Sequence, residues 1–125
     1  LGIVHSMAHG LSALYDTPHG VACAIILPTG LEYNKPVAGK RYRAIGKAMQ
    51  VPGIDNMTDE EAADATIAAV KQLSLDVGIP QNLNGILKEE DVAFLSQSAY
   101  ADACCPGNPR DTSEEEIAEL YKSLL

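Results

Sequence analysis

The residues with the most potential for chemistry are three histidines near the start of the chain. His5 and His9 are four residues apart, so on an α-helix they share one face. His19 directly follows Pro18, where a turn can fold a second helix back against the first. Neutral imidazoles that converge at such a junction are good ligands for a divalent metal ion. The spacing therefore indicates a metal site, and it leaves open which imidazoles coordinate and which metal they hold.

Imidazoles alone make an incomplete site, because a stable catalytic metal usually has a carboxylate or a further histidine as well. Asp16 lies within the cluster, but its place two residues before Pro18 is more typical of a turn or cap than of a ligand. The cluster holds no cysteine, so we expect imidazole and carboxylate ligands, which suit Fe(II) or Zn(II), and no thiolate. The alternative is that the histidines are ordinary surface or core residues.

The apolar residues around the histidines recur at helical spacing. In residues 3–14 they fall three and four positions apart, which predicts an amphipathic helix. Pro18 is expected at the first helical position of a second, largely apolar helix over residues 18–32, with a kink at Pro28. A third helix is expected over residues 36–50.

Capping signals mark the later helices. A capping box at Thr58 precedes a helix that stops near Gly78, and a further helix is expected from about Glu89 to Cys104. A second capping box, beginning at Thr112, precedes the last helix. No alternating apolar runs are joined by hairpin residues. We therefore predict one all-α domain of about five to six helices over residues 1–125.

Composition and charge narrow the classes of partner. The chain has 125 residues and 46% hydrophobic residues, which is enough for one domain with a core. Its net charge of −8 repels phosphate backbones and anionic lipids, so we expect neither a nucleic-acid nor a membrane partner. The three cysteines are Cys23, Cys104 and Cys105. An odd count with an adjacent pair is a poor disulfide framework and favours a reducing cytoplasm.

Residues 2–22 closely resemble the second signature of the iron-containing alcohol dehydrogenases. The stretch reads H-x2-A-H-x9-H-G, and family-like residues follow at Ile26-Leu27-Pro28 and Tyr33-Asn34. Residues 104–110 resemble the late GNPR loop of the family, so the similarity spans nearly the whole chain. The subgroup it resembles includes lactaldehyde reductase, 1,3-propanediol dehydrogenase and butanol dehydrogenases.

The resemblance implies a role for each histidine. Family members have an N-terminal α/β domain that binds NAD(H) or NADP(H) and an all-helical C-terminal domain that carries Fe(II), or Zn(II) in some members. The metal is held by one aspartate and three histidines, and two of those histidines match His5 and His19. His9 matches the histidine that faces the nicotinamide and substrate, so we expect it to be catalytic and to contact the cofactor. By the same resemblance Cys104 lies near the substrate pocket.

The implied activity is hydride transfer between small primary alcohols or diols, with their aldehydes, and NAD(P). The family's other aspartate and histidine come from a D-x3-H motif that this chain lacks, and no glycine-rich turn between strand and helix is present either. The chain also begins at Leu1, within an apolar pattern and without Met. We therefore expect a truncated C-terminal domain that holds half of a metal site. Its expected partners are its own missing N-terminal domain and other copies of the protein in a homo-oligomer. The alternatives are a standalone helical metal-binding or interaction module and a structural domain with incidental histidines.

Overall fold

Helices form the whole framework of the computed structural model, which describes residues 2–125. Within that range there are five α-helices and no strands, so the all-α prediction is confirmed. The helices are α1 (Ile3–Tyr15), α2 (His19–Ala48), α3 (Asp59–Asp76), α4 (Val92–Ala101) and α5 (Glu114–Ser123), with short 3₁₀ turns at Ile54–Asn56, Glu89–Asp91 and Cys105–Gly107. No helix in the described part of the chain is long and apolar enough to cross a bilayer.

Helix α1 is central because it packs against both α2 and α4. Its apolar face, including Ile3, Met7 and Leu11, is fully buried in the larger of two hydrophobic clusters. Tyr121 of α5 lies in the same cluster, and its hydroxyl donates to the carbonyl oxygen of Met7 at 2.8 Å. The predicted amphipathic pattern of α1 is confirmed, and it leaves the opposite face free to carry His5 and His9.

Helix α2 differs from the prediction because it is one helix of 30 residues rather than two. Pro28 and Pro36 both lie inside it, although each removes a backbone N–H and its ring crowds the preceding turn. Burial compensates for the lost hydrogen bonds, since Pro28 itself and Tyr33 are buried on the core side. The kink at Pro28 stays a prediction.

The second half of α2 packs against α3 around a smaller cluster formed by Ala38, Tyr42, Ala63 and Ile67. The capping box that begins α3 is confirmed: the Thr58 hydroxyl accepts from the backbone N–H of Glu61, whose carboxylate accepts in return from the N–H of Thr58.

The last two helices are shorter or shifted relative to the prediction. Residues 89–91 form a 3₁₀ turn, and α4 ends at Ala101 because Asp102 has extended backbone angles. Helix α5 is capped by Ser113, which accepts from the N–H of Glu116, so the predicted cap at Thr112 is wrong by one residue. The early end of α4 matters most, since it leaves Asp102 on a loop beside α1.

Candidate metal and substrate site

The three histidine rings lie together at the start of α1 and α2. The ring centroids of His5 and His19 are 5.6 Å apart, and those of His9 and His19 are 5.4 Å apart with their planes 24° from parallel. The rings of His5 and His9 are 6.3 Å apart and meet edge to face. The structure therefore brings together all three histidines that the sequence singled out.

The turn between the two helices places His19. Asp16 ends α1 in the left-handed backbone region, with φ at 56°, and its side chain is exposed. Pro18 is the N-cap of α2 rather than its first helical residue, so the helix begins at His19 itself. Asp16 thus serves as the cap residue of the turn, the interpretation that its spacing favoured.

A close helix crossing places His5. A Cβ atom added at Gly30 of α2 would lie 2.5 Å from Cγ2 of Val4 in α1, so a larger residue would push the two helices apart. Val4 directly precedes His5 in the chain. The absence of a side chain at Gly30 therefore allows α1 to approach α2 closely beside His5.

Cys23 adds a thiol to the cluster, which corrects the expectation of a site without sulfur. It lies one turn after His19 on α2, and its Sγ is 3.6 Å from Nε2 of His19. His5, His19 and Cys23 each offer one donor atom within 4.8 Å of the other two. Cys23 was not predicted as a ligand, although its spacing of four residues from His19 places both side chains on one face of a helix.

Asp102 is the second site residue that was not predicted from the sequence. Its carboxylate oxygen Oδ2 lies 2.9 Å from Nδ1 of His9, 93 residues away in the chain. Its other oxygen accepts the backbone N–H of Cys104 at 2.8 Å. Since an ionised carboxylate only accepts hydrogen bonds, Nδ1 of His9 is a donor, and in the neutral form of the ring Nε2 is then the acceptor. No local spacing signals this pair, because only the loop after α4 brings the two residues together.

The pKa values of His5, Asp102 and Cys104 are all shifted by their surroundings. Burial lowers the pKa of His5, and the neighbouring histidines lower it further, so the neutral form that binds a metal is favoured. Burial alone would raise the pKa of the Asp102 carboxyl, but the N–H of Cys104 and the ring of His9 hold that pKa below its usual range. Burial, followed by the charge of Asp102, raises the pKa of Cys104, which therefore stays a neutral thiol.

A cleft of about 360 Å³ opens beside His9. Besides Asp102, its walls are Ser6, Gly10, Ala13, Leu14, Phe94 and Ser98. Leu14 and Phe94 are 43% and 59% exposed, an unusual exposure for apolar side chains of this size. Cys104 does not line this cleft, but it forms a close group with His9 and Asp102, whose donor atoms lie within 4.8 Å of one another. The cleft thus joins apolar walls to one imidazole with a free ring nitrogen.

Apart from Cys104, the late loop of residues 104–110 contacts the helices that carry the site rather than the site itself. Arg110 stacks on the ring of Tyr33 with its guanidinium carbon 4.2 Å from the centroid, and it donates to the Tyr33 carbonyl at 2.8 Å. It also pairs with Glu116 at 3.4 Å. Asn108 accepts the backbone N–H of Ile3 at 3.3 Å, so this loop contacts the first turn of α1.

The donor atoms fit a divalent metal as part of a site. His5 and His19 contribute imidazole nitrogens, which Fe(II) and Zn(II) both accept, and no carboxylate lies in the same group within residues 2–125. A family description, "Fe-containing alcohol dehydrogenase family, C-terminal", matches residues 1–125. The chain belongs to the iron-containing alcohol dehydrogenase family.

Members of this family with curated descriptions include close relatives of the chain. It is 48% identical over 122 residues to the lactaldehyde reductase of Escherichia coli (strain K12). This alignment covers 97% of the chain and 32% of the reductase. It is 40% identical to the 1,3-propanediol dehydrogenase of Klebsiella pneumoniae, covering 100% of the chain and 32% of the relative. The chain thus spans about a third of the length of these relatives, and the resemblance to this subgroup is confirmed.

Solved structures from the family have the same fold. A 1,3-propanediol oxidoreductase superposes with a TM-score of 0.95 at 39% identity, covering 100% of the chain and 33% of that protein. The alcohol dehydrogenase from Oenococcus oeni gives a TM-score of 0.94 at 38% identity, with 100% and 33% covered. Membership implies a metal, usually iron, and a nicotinamide cofactor for the family as a whole.

Proposed function

We propose that this chain is the metal-holding part of an enzyme that transfers hydride between NAD(P) and a small primary alcohol or diol, or the corresponding aldehyde. The observation that carries the proposal is the convergence of His5 and His19, with ring centroids 5.6 Å apart, inside a chain that matches the family over its whole length. Lactaldehyde, 1,3-propanediol and butanol appear in the names of its relatives, so the substrate belongs to that size class.

His5 and His19 would hold Fe(II), or Zn(II), together with the aspartate and the histidine that the family resemblance places upstream of this chain. When bound, the metal supplies Lewis acidity that lowers the pKa of an alcohol oxygen or polarises an aldehyde carbonyl. The helix crossing at Gly30 and the cap at Asp16 orient the two imidazoles before the metal arrives, because both fix the backbone that carries them.

His9 would act on the substrate rather than on the metal. In the neutral ring of His9, the proton on Nδ1 is donated to Asp102, so Nε2 is the nitrogen that can take the proton of an alcohol and return it to an alkoxide. The ring is 42% exposed beside the cleft, and the nicotinamide ring would pack against that exposed edge. Cys104 would lie at the end of the substrate, next to Asp102.

The exposed apolar side chains suggest where the nucleotide-binding domain docks. Leu14 and Phe94 flank His9 at the mouth of the cleft, and covering them would exclude water from the reacting atoms. We expect the complete enzyme to be a homo-oligomer. We also expect it in the reducing cytoplasm, in keeping with the three free cysteines of this chain.

Calorimetric titration of the chain with Fe(II), under anaerobic conditions, and with Zn(II) tests the ligand assignment. We expect binding that is lost in both His5→Ala and His19→Ala and kept in His9→Ala, because His9 is assigned to substrate and cofactor. Equal loss in all three variants would contradict the separate role of His9. Unchanged binding in His5→Ala and His19→Ala would contradict the proposed function itself.

A further inference from the structure

Cys23 is placed as a third donor beside the two histidines assigned to the metal. Its Sγ lies 3.6 Å from Nε2 of His19, one helical turn before it on α2, and His5 approaches both from α1. The three donor atoms are all within 4.8 Å of one another. Two rigid helices thus present two nitrogens and one sulfur to a common point.

We propose that His5, His19 and Cys23 together coordinate a thiophilic divalent cation, Zn(II) or Co(II), in preference to Fe(II). The inference rests on the proposed function for the two histidines and adds the thiol as a ligand. On binding, the Cys23 thiol gives its proton to the solvent, and a bond forms between the thiolate sulfur and the cation. In this chain by itself, a water molecule completes the four positions that zinc prefers.

The distance between Cys23 and His19 agrees with a shared tetrahedral ion. A Zn–N bond of about 2.0–2.1 Å and a Zn–S bond of about 2.3 Å, set at the tetrahedral angle, separate the two donor atoms by roughly 3.6 Å. The observed separation of Sγ and Nε2 is 3.6 Å. Little rearrangement of α2 is therefore needed, since both ligands are on the same face of one helix.

The donor types determine which metal is favoured. A soft thiolate binds zinc or cobalt more strongly than it binds ferrous iron, which also lies lower in the general order of divalent affinity. No carboxylate joins His5, His19 and Cys23 within the described part of the chain, so this group lacks the hard oxygen ligand that favours iron. The metal preference of the site is therefore expected to depend on Cys23.

Cobalt spectroscopy of the chain tests the sulfur ligand directly. Titration with Co(II) under reducing, anaerobic conditions should produce a thiolate-to-cobalt charge-transfer band in the near ultraviolet. We expect Cys23→Ser and Cys23→Ala to lose this band and Cys105→Ser to keep it, because Cys105 belongs to neither group of potential metal ligands. Persistence of the band in both Cys23 variants, or its loss only in Cys105→Ser, would overturn the inference.

Calorimetry with Zn(II) and Fe(II) measures the preference. Cys23→Ser should weaken Zn(II) binding by at least about tenfold, the lower end of what even an outer-shell change costs a metal site, and affect Fe(II) binding less. Equal weakening for both metals would contradict the preference. Circular dichroism establishes that each variant keeps its helical content.

An alkylation experiment on the unmodified chain needs no variant. Zn(II) should slow the reaction of Cys23 with iodoacetamide, read by peptide mass spectrometry, and leave the rate at Cys104 unchanged. Equal rates at Cys23 with and without Zn(II) would overturn the inference. The two proposals can fail independently. If metal binding were lost only in the histidine variants, Cys23 would not be a ligand and the proposed function would stand. If the cobalt band survived in His5→Ala and His19→Ala, the assignment of the two histidines as ligands would be wrong.

Discussion

Asn34 and Asn108 exchange two hydrogen bonds between their side-chain amides, at 2.9 and 2.8 Å, across 74 residues of chain. The same Oδ1 of Asn108 also accepts the backbone N–H of Ile3, one of the first N–H groups of α1 that have no partner within the helix. The pair therefore ties α1 to α2 and to the late loop at one point. His5 follows Ile3 by two residues, so this point lies next to the candidate metal ligands.

Replacing Asn108 by alanine should therefore affect both stability and metal binding. The change leaves the part-buried amide of Asn34 and the N–H of Ile3 without partners, and the unfolding free energy should fall by about 1–3 kcal/mol. Metal affinity should fall as well, because the first turn of α1 is released near His5. Urea unfolding followed by circular dichroism, and calorimetry with Zn(II), measure the two effects. The matched control is the exposed Asn56, where alanine should change neither.

Gly30→Ala tests the close approach of α1 and α2. The new methyl group would lie 2.5 Å from Cγ2 of Val4, and relief of this overlap should cost about 1–3 kcal/mol of stability. The displacement of α1 should also weaken metal binding through His5. Gly20→Ala is the control, because no atom lies within 4 Å of the added carbon and alanine favours the helix. If both variants behaved alike in urea unfolding, the crossing at Gly30 would not be the constraint we describe.

Asp102→Asn should change the proton on His9. In the native chain the carboxylate accepts from Nδ1, whereas an amide can present its NH₂ group to that nitrogen and favour the tautomer protonated at Nε2. Long-range ¹H–¹⁵N correlation spectra of the imidazole report the tautomer directly. Asp16→Asn is the control, since asparagine tolerates the left-handed backbone of that exposed cap. An unchanged His9 tautomer in Asp102→Asn would remove the positioning role of Asp102.

Tyr33→Phe should make the chain less sensitive to alkaline pH. Burial, with hydrogen bonding to Glu116 next, raises the pKa of Tyr33 to about 12 from 10.0. The folded state therefore resists ionisation that the unfolded state permits, and this contribution to stability is present below pH 10 and is lost between pH 10 and 12. Unfolding free energies measured across that interval should fall less steeply in Tyr33→Phe than in the native chain. The exposed Tyr100 supplies the control, and the same slope in both variants would contradict the assignment.

The sequence predicted the elements of the fold better than their ends. The apolar period of three to four residues identified α1, and the capping box identified the start of α3. Both signals are local, because they depend only on residues that are close in the chain. The division of α2 at Pro36 was wrong because burial along its core side outweighs the local penalty of proline, and a local pattern cannot weigh the two. The cap of α5 is Ser113 rather than Thr112. Both hydroxyls are competent caps, so the local sequence does not distinguish between them.

The candidate site was predictable in its histidines and not in its partners. His5, His9 and His19 are close in sequence, so helical geometry alone brings them together. Asp102 reaches His9 only because α4 ends at Ala101, one residue before Asp102, and packs against α1. This is a tertiary relationship without a local signal in the sequence. The prediction that Cys104 lies near the substrate pocket rests on the family resemblance, and the structure adds its proximity to His9 and Asp102.

A chimaeric enzyme tests whether the chain can complete an active dehydrogenase. The chain aligns with the last part of relatives about three times its length, so it can replace the corresponding third of the Escherichia coli lactaldehyde reductase, with which it shares 48% identity. We expect the chimaera to reduce lactaldehyde with a nicotinamide cofactor. His19→Ala should abolish metal binding and activity together, and His9→Ala should leave the metal content unchanged while lowering kcat by about 10²-fold or more. Lys40→Ala, on the exposed surface away from the histidines, should retain both. A folded, metal-loaded chimaera without activity would contradict the catalytic role proposed for His9 and the positioning role proposed for Asp102, because both residues would be present without supporting proton transfer.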